Sequence, residues 1–286
     1  MGFRRTGTIA SLEVFIKWLI FGGVPKYLEE INSKLSLDQN LEELFFKENA
    51  LFRDEFDKIF KVHFREPKNY YHIIQIIKKD TLILNEISNK LKMKSSGGVK
   101  NYIENLKLAG FIRSVNSYFH PKSKYPRYKV SDEFLLFYFH FIDPQRKIYE
   151  SDNAINYFKN DLTKNLDVWL GFAFENYVIN NAMYFAEKMG FSERVKSYGP
   201  YYGKKEKVQV DLIYARSDKT ITLCEMKFHT RPISTEIIPE INRKIEKLPL
   251  KPSESLHKVL IAPNGVSQAL LDCEYFEEIL TMKDIF

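Results

Sequence analysis

Cysteine is nearly absent: only Cys224 and Cys273 occur among 286 residues, far apart and with no neighbouring ligand cluster. That argues against a disulfide scaffold and a cysteine-based zinc site, and fits a reducing, cytoplasmic setting. Long apolar runs are missing as well. The stretches around Phe15–Val24 and Phe134–Ile142 are interrupted by Lys17, Gly22 and His140, well short of the roughly 20 apolar residues of a membrane span. Arg4 and Arg5 are not followed by an apolar core with a small-residue cleavage site, so no signal peptide is expected. Nor is there a GxxxxGK[ST] phosphate-binding loop. Gly203-Lys204-Lys205 lacks both the leading glycine and the hydroxyl residue, so no ATP site of that kind is expected.

What is present reads as an ordinary globular protein. A hydrophobic fraction of 44% suffices for packed cores, and the length allows two or three domains of roughly 100–150 residues each. The net charge of +6 is unevenly spread. Residues 1–65 carry ten basic and ten acidic side chains; residues 66–130 carry thirteen against four, a net of +9; residues 131–286 carry twenty against twenty-three, a net of −3. The excess positive charge lies in one short segment, where a polyanionic partner is to be sought first. Abundant Lys, Asn, Ile and Tyr along the whole chain offer a plainer source for it, compositional bias.

Element patterns divide the chain into 1–65, helical; 66–130, a helix-rich module ending in a hairpin; 131–160, a connecting helical segment; and 161–286, an α/β domain. Leu12, Phe15, Ile16, Leu19 and Ile20 recur at helical spacing up to Gly22-Gly23. In the second segment, Tyr71–Ile77, Ile83–Leu91 and Ser95–Ala109 read as three helices, the last stopped by Gly110. Phe111–Val115 and Tyr128–Val130 read as strands flanking a loop rich in proline and cations. Three helices and a basic hairpin are the order of a winged helix, with Ser95–Ala109 in the recognition position. Lys100, Lys122, Lys124 and Arg127 are its candidate contacts to double-stranded DNA. The aromatic run Asp132–Tyr149 fits helix and strand equally by spacing and is read as buried helix.

Beyond Leu166 the pattern becomes mixed α/β: a helix over Trp169–Met189, strands over Val208–Tyr214, Thr220–Phe228 and Leu256–Ala262, and a crossover helix over Thr235–Leu248. Asp211 and Glu225 are acidic residues embedded in apolar strands, a costly placement without a partner. Glu225 and Lys227 project from one strand face, and a tight hairpin after Asp211 brings its carboxylate beside Glu225. Two hard oxygen ligands with positions left for water and phosphate are what Mg²⁺ or Mn²⁺ requires. An adjacent ammonium can orient an attacking water and offset charge in the transition state. Glu175, on the preceding helix, would hold the metal or a metal-bound water. Each residue alone has a duller reading as a solvated surface charge. Of the neighbours, His229 is read as a surface residue, and Asn242 and Lys244 as facing solvent.

Gly22–Leu28, the helix-and-hairpin order, Tyr128–Leu135 and Phe174-Glu175 together resemble the C-terminal part of archaeal and bacterial DUF234-type ATPases. In that family a P-loop AAA domain precedes a helical lid, a winged helix and a PD-(D/E)xK nuclease-like domain. The resemblance spans nearly the whole chain and implies a restriction-endonuclease-like α/β domain with a mixed central sheet. It places the acidic roles on Glu175, Asp211 and Glu225 and the lysine role on Lys227. Val210 stands where the motif has proline, and the ATPase domain is not in this sequence, so the chain reads as a shortened member with Met1–Ser11 as a new start. Three functions follow as expectations: a DNA-binding, Mg²⁺-dependent endonuclease; an inactive nuclease-fold scaffold that binds DNA or protein; and an accessory subunit of a separate AAA ATPase. The partner, besides DNA, is expected to be such an ATPase or a second copy of the chain.

Overall fold

Two sheets organise the described residues. The computed structural model describes residues 7–78, 81–93, 97–115, 126–145, 157–203 and 208–285. Contacts divide the chain into one compact unit spanning Phe15–Val115 and Lys124–Trp169 and another built on Leu170–Phe286.

In the first unit, α1 (Gly7–Phe21) ends where Gly22 takes a positive φ of 72° and donates its N–H to the Trp18 carbonyl at 2.8 Å, a left-handed cap that suits glycine. Pro25 opens α2 (Pro25–Glu29), where its missing N–H costs nothing. Ser36 and Gln39 form a reciprocal capping box on α3 (Leu37–Leu41), and α4 (Glu55–His63) follows. Aromatic side chains fill the core: Phe45 lies 5.4 Å from Phe52 and 5.1 Å from Phe137, centroid to centroid. The aromatic run that spacing leaves undecided is helical over its described part, residues 133–145; residues 146–149 lie outside the described residues. Asp132 accepts the Leu135 N–H at 2.7 Å and caps α8 (Glu133–Phe137), which continues as a wider π turn over Tyr138–Ile142.

The described part of the basic segment folds within the same unit. Helices α5 (Pro67–Ile77), α6 (Leu84–Lys90) and α7 (Gly97–Leu108) bury Ile73, Ile74, Ile87, Val99, Ile103 and Leu106. Gly110, at φ 80°, and the Phe111 N–H on the Leu106 carbonyl end α7. A three-stranded antiparallel sheet joins them: β1 (Leu82–Ile83), β2 (Ile112–Val115) and β3 (Arg127–Val130), in the order β1-β3-β2. Helical spacing starts α6 at Ile83, but Leu82 and Ile83 form a short strand. They pair with Tyr128 and Arg127, and the Glu86 carboxylate accepts the Ile83 N–H at 2.9 Å, so the helix begins only at Leu84. Ser95, Ser96, Lys122 and Lys124 lie outside the described residues.

The expected helix over Trp169–Met189 is two helices, α9 (Thr163–Asn180) and α10 (Ala182–Lys188). The break falls at Asn181, whose amide joins its own N–H on the Tyr177 carbonyl, at 2.9 and 3.0 Å; Asn is a poor interior helix residue. In the second unit a five-stranded mixed sheet follows, ordered β4-β5-β6-β7-β8. Its strands are β4 (Val195–Gly203), β5 (Val208–Arg216), β6 (Thr220–Met226), β7 (Ser255–Ile261) and β8 (Glu278–Leu280). The first three run antiparallel; β7 is parallel to β6 and β8 to β7. Between β6 and β7 the chain forms α11 (Ile238–Glu246), a crossover that parallel pairing requires. Ile237, Ile241 and Leu248 pack on Ile213, Leu223 and Leu260. The Tyr214 hydroxyl, buried, donates to the Ala182 carbonyl at 2.7 Å and ties α10 to the sheet. Among the described residues no helix is long and apolar enough to cross a membrane.

Candidate active site

The pairing of β4 with β5 positions the first carboxylate. From Gly199↔Ile213 to Tyr201↔Val210 the register advances two residues on β4 and three on β5, so β5 carries an extra residue at Asp211-Leu212. A bulge of this kind re-aims a side chain where a regular strand would fix it. On the other side Leu212 pairs with Cys224, so Asp211 stands next to Glu225. The Met226 N–H donates to Asp211 Oδ2 at 3.1 Å. Both carboxylates are buried; Asp211 is 8% exposed and Glu225 0%.

Two ammonium groups meet the second carboxylate. Lys244 Nζ lies 2.7 Å from each Glu225 oxygen, and Lys227 Nζ lies 3.0 Å from Oε1. Glu240 holds both lysines from the outer side, 3.2 Å from Lys227 and 3.0 Å from Lys244. Glu225, Lys227, Glu240 and Lys244 thus close a ring of alternating charge around a buried carboxylate. Such a group is tolerable only when paired and hydrogen-bonded.

The electrostatics follow the geometry. Burial raises the Asp211 pKa to about 6, the Glu175 charge pushes it the same way, and Lys244, the Met226 N–H and Lys227 pull against them. Glu225 is also raised, first by burial and then by Asp211, with the two lysines opposing. Burial lowers Lys227 and Lys244, but Glu225 and further carboxylates outweigh it and both end above the ordinary lysine value. The pair of carboxylates therefore calls for positive charge beyond what is needed for an exposed aspartate and glutamate.

Of the residues singled out in the sequence, Asp211, Glu225 and Lys227 come together. Glu175, half-buried on α9, lies close enough for its charge to act on Asp211. The neighbouring Phe174 packs on Phe228 at 5.5 Å, just past Lys227. Among the described residues no three His, Cys, Asp or Glu side chains form a ready-made metal cage. The donor set at the centre is Asp211 and Glu225. Two buried oxygen donors suit Mg²⁺, which binds through one or two carboxylates and keeps water or phosphate in its other positions.

Lys244 corrects the solvent-facing reading: it turns inward to Glu225. Ile237, Ile241 and Leu248 form the buried stripe of the crossover helix, and Lys244 falls at the helical spacing between Ile241 and Leu248. A lysine in line with an apolar stripe was the available signal. Asn242 is exposed, as read, and accepts the Tyr275 hydroxyl at 2.7 Å. His229 is exposed, as read, and its carbonyl accepts the Asn264 amide at 2.9 Å. In the other unit Lys100 is exposed on α7. Arg127 is already engaged: it donates to the Thr81 carbonyl and lies 3.6 Å from Glu86.

Residues 138–241 match the model of the family DUF234, described as archaeal and bacterial proteins of unknown function. The uncharacterized protein MJECL04 of Methanocaldococcus jannaschii is 34% identical over 155 residues, 54% of this chain and 34% of its own length. The chain thus spans about a third of the length of that curated relative. Among solved structures, a repair endonuclease from Pyrococcus abyssi matches at 20% identity and a TM-score of 0.26, over 37% of this chain and 43% of that one.

Proposed function

We propose that the unit built on Leu170–Phe286 is a metal-dependent phosphodiesterase centre of the PD-(D/E)xK type acting on DNA. The observation that carries this reading is the juxtaposition of Asp211 and Glu225, buried side by side on neighbouring strands, with Lys227 on the same strand face as Glu225. A structural surface cluster has no need to bury two like charges; a cation site does. The order helix, three antiparallel strands, crossover helix and parallel strand supports the same reading.

In this reading Asp211 and Glu225 hold Mg²⁺ or Mn²⁺, which when bound polarises the phosphate and supplies an activated water. Lys227, held by Glu225 and Glu240, places a fixed positive charge beside the reacting phosphoryl oxygens and orients the water. Glu175 acts on Asp211 from α9 and accepts a hydrogen bond from water at the site. The helix-and-hairpin segment 66–130 is proposed as a winged helix that presents Lys100, Lys122, Lys124 and Arg127 to duplex DNA. The test is cleavage of duplex and single-stranded DNA with Mg²⁺ or Mn²⁺ by the parent and by Asp211→Ala. Activity in the parent that is lost in the variant supports the reading; no cleavage of either form removes it.

One observation favours a second reading, in which the fold is an inactive scaffold. Both Glu225 oxygens already receive an ammonium group at 2.7 Å, so the buried charge is satisfied without a metal. Calorimetric absence of divalent-ion binding together with absence of cleavage would select it.

A further inference from the structure

Lys244 is not one of the residues assigned a role in hydrolysis above, yet it makes the shortest contacts in the site. Its ammonium bridges both oxygens of Glu225 at 2.7 Å, whereas Lys227 reaches only one, at 3.0 Å. The same ammonium lowers the energy of ionised Asp211, so its field covers both proposed ligands. Its side chain is 15% exposed and is braced from outside by Glu240 at 3.0 Å. A monovalent cation therefore sits across the oxygens that a divalent ion would need.

We infer, resting on the metal-dependent reading above, that Lys244 is a resident counter-cation that competes with a divalent ion for the oxygens of Glu225. A buried carboxylate must be neutralised in every state of the protein. A lysine ammonium and a divalent ion cannot both bridge the same two oxygens, because each fills the space between them and they repel. Glu240 gives the displaced ammonium somewhere to go, since it already accepts Lys244 and stands in the exposed part of the cluster, 39% exposed at its side chain. The exchange would keep Glu225 neutralised throughout: on uptake of a divalent ion, Lys244 would swing outward toward Glu240 and the phosphate side. Metal uptake is thus weak alone and strengthened by a phosphodiester, which offers the displaced ammonium a second anion.

The experiment is a Mn²⁺ titration, followed by calorimetry and by the electron paramagnetic resonance of free Mn²⁺, on the full chain and on Lys244→Met, Lys244→Gln and Lys244→Arg. Removing the competing charge should tighten Mn²⁺ binding by about tenfold or more in the Met and Gln variants, while Arg, which keeps the charge, should not. Equal or weaker binding in folded Met and Gln variants overturns the inference and leaves the metal-dependent reading intact. No Mn²⁺ binding to any of the four proteins overturns both. Because a neutral variant can fail to fold, a second measurement uses the parent alone: acetylation of individual lysines by acetic anhydride, read by mass spectrometry. Mg²⁺ should speed modification of Lys244 relative to Lys258, a lysine held by Glu277 on the same sheet. An unchanged ratio at saturating Mg²⁺ would show that the ammonium does not leave Glu225.

Discussion

The Asp211 carboxylate accepts the Met226 N–H at 3.1 Å, which fixes it across the β5–β6 pairing beside Glu225. One side-chain acceptor thereby holds two buried acids in register, and neither can move aside to relieve the repulsion. The arrangement costs stability in the absence of a cation, and that cost is measurable.

Asp211→Asn should stabilise the metal-free protein near neutral pH. The folded-state pKa of Asp211 is raised to about 6, above the unfolded value of about 3.9. A raised acid binds more protons when folded than when unfolded, so its contribution is fully present below about pH 4 and is lost as pH rises through about 6. Asparagine cannot ionise and can still accept the Met226 N–H. The difference between variant and parent should therefore grow between about pH 4 and 6, to on the order of 2 kcal/mol. Urea denaturation in a chelating buffer at several pH values checks this. A pH-independent difference would mean that Asp211 is not strained by burial.

Glu225 and Lys244 should be strongly coupled. Lys244→Ala or Glu225→Ala alone leaves a partner in a poorly solvated place and should destabilise by roughly 3–5 kcal/mol. The double replacement Glu225→Leu with Lys244→Met removes both charges and should recover much of that loss, because an apolar pair of similar volume needs no compensation. A double-mutant cycle from denaturation midpoints gives the coupling. Additive losses would place the two side chains apart in solution.

Lys227 should separate binding from turnover. It shares Glu225 with Lys244 but reaches only one oxygen, so Lys227→Met should leave Mn²⁺ affinity within about threefold while lowering kcat by about 100-fold. Equal losses in affinity and turnover would make it a structural partner of Glu225 alone.

Much of the α/β unit was legible because its signals are local. Val208–Tyr214 and Thr220–Phe228 alternate apolar and polar residues around a turn, and the observed strands Val208–Arg216 and Thr220–Met226 follow them closely. The edge strand Val195–Gly203 was not legible, since Gly199 and Pro200 interrupt its pattern and its order comes from pairing with β5. The bulge that turns Asp211 toward Glu225 is likewise a property of two strands. Lys244 was missed for a related reason. Helical spacing reports which residues share a face, but what that face meets depends on how α11 lies over β6. In the other unit Ile83, read as helix, is strand because Arg127 supplies its partner from far along the chain.

DNA affinity should depend on the basic segment unequally. Lys100 is exposed, whereas Arg127 already faces Glu86 and the Thr81 carbonyl. Replacing Lys100, Lys122 and Lys124 with alanine should weaken duplex binding and reduce the slope of log K against log salt by about 0.9 for each phosphate that is no longer neutralised. Arg127→Ala should have the smallest effect of the four. Fluorescence anisotropy across a salt series measures both; an unchanged slope in the triple variant would make the segment a solvated surface that does not touch the DNA backbone.

The most direct test of the central claim is a cleavage time course on duplex and single-stranded DNA with 5′-labelled ends, run with Mg²⁺, Mn²⁺ or chelator. It compares the parent with Asp211→Ala and Glu225→Gln, each first shown to be folded by circular dichroism. The expected result is metal-dependent cleavage by the parent and its loss, by about 100-fold or more, in both variants, since one removes a carboxylate ligand and the other its negative charge. Cleavage by the parent that survives either substitution, or no cleavage under any of these conditions, would contradict a metal centre built on Asp211 and Glu225.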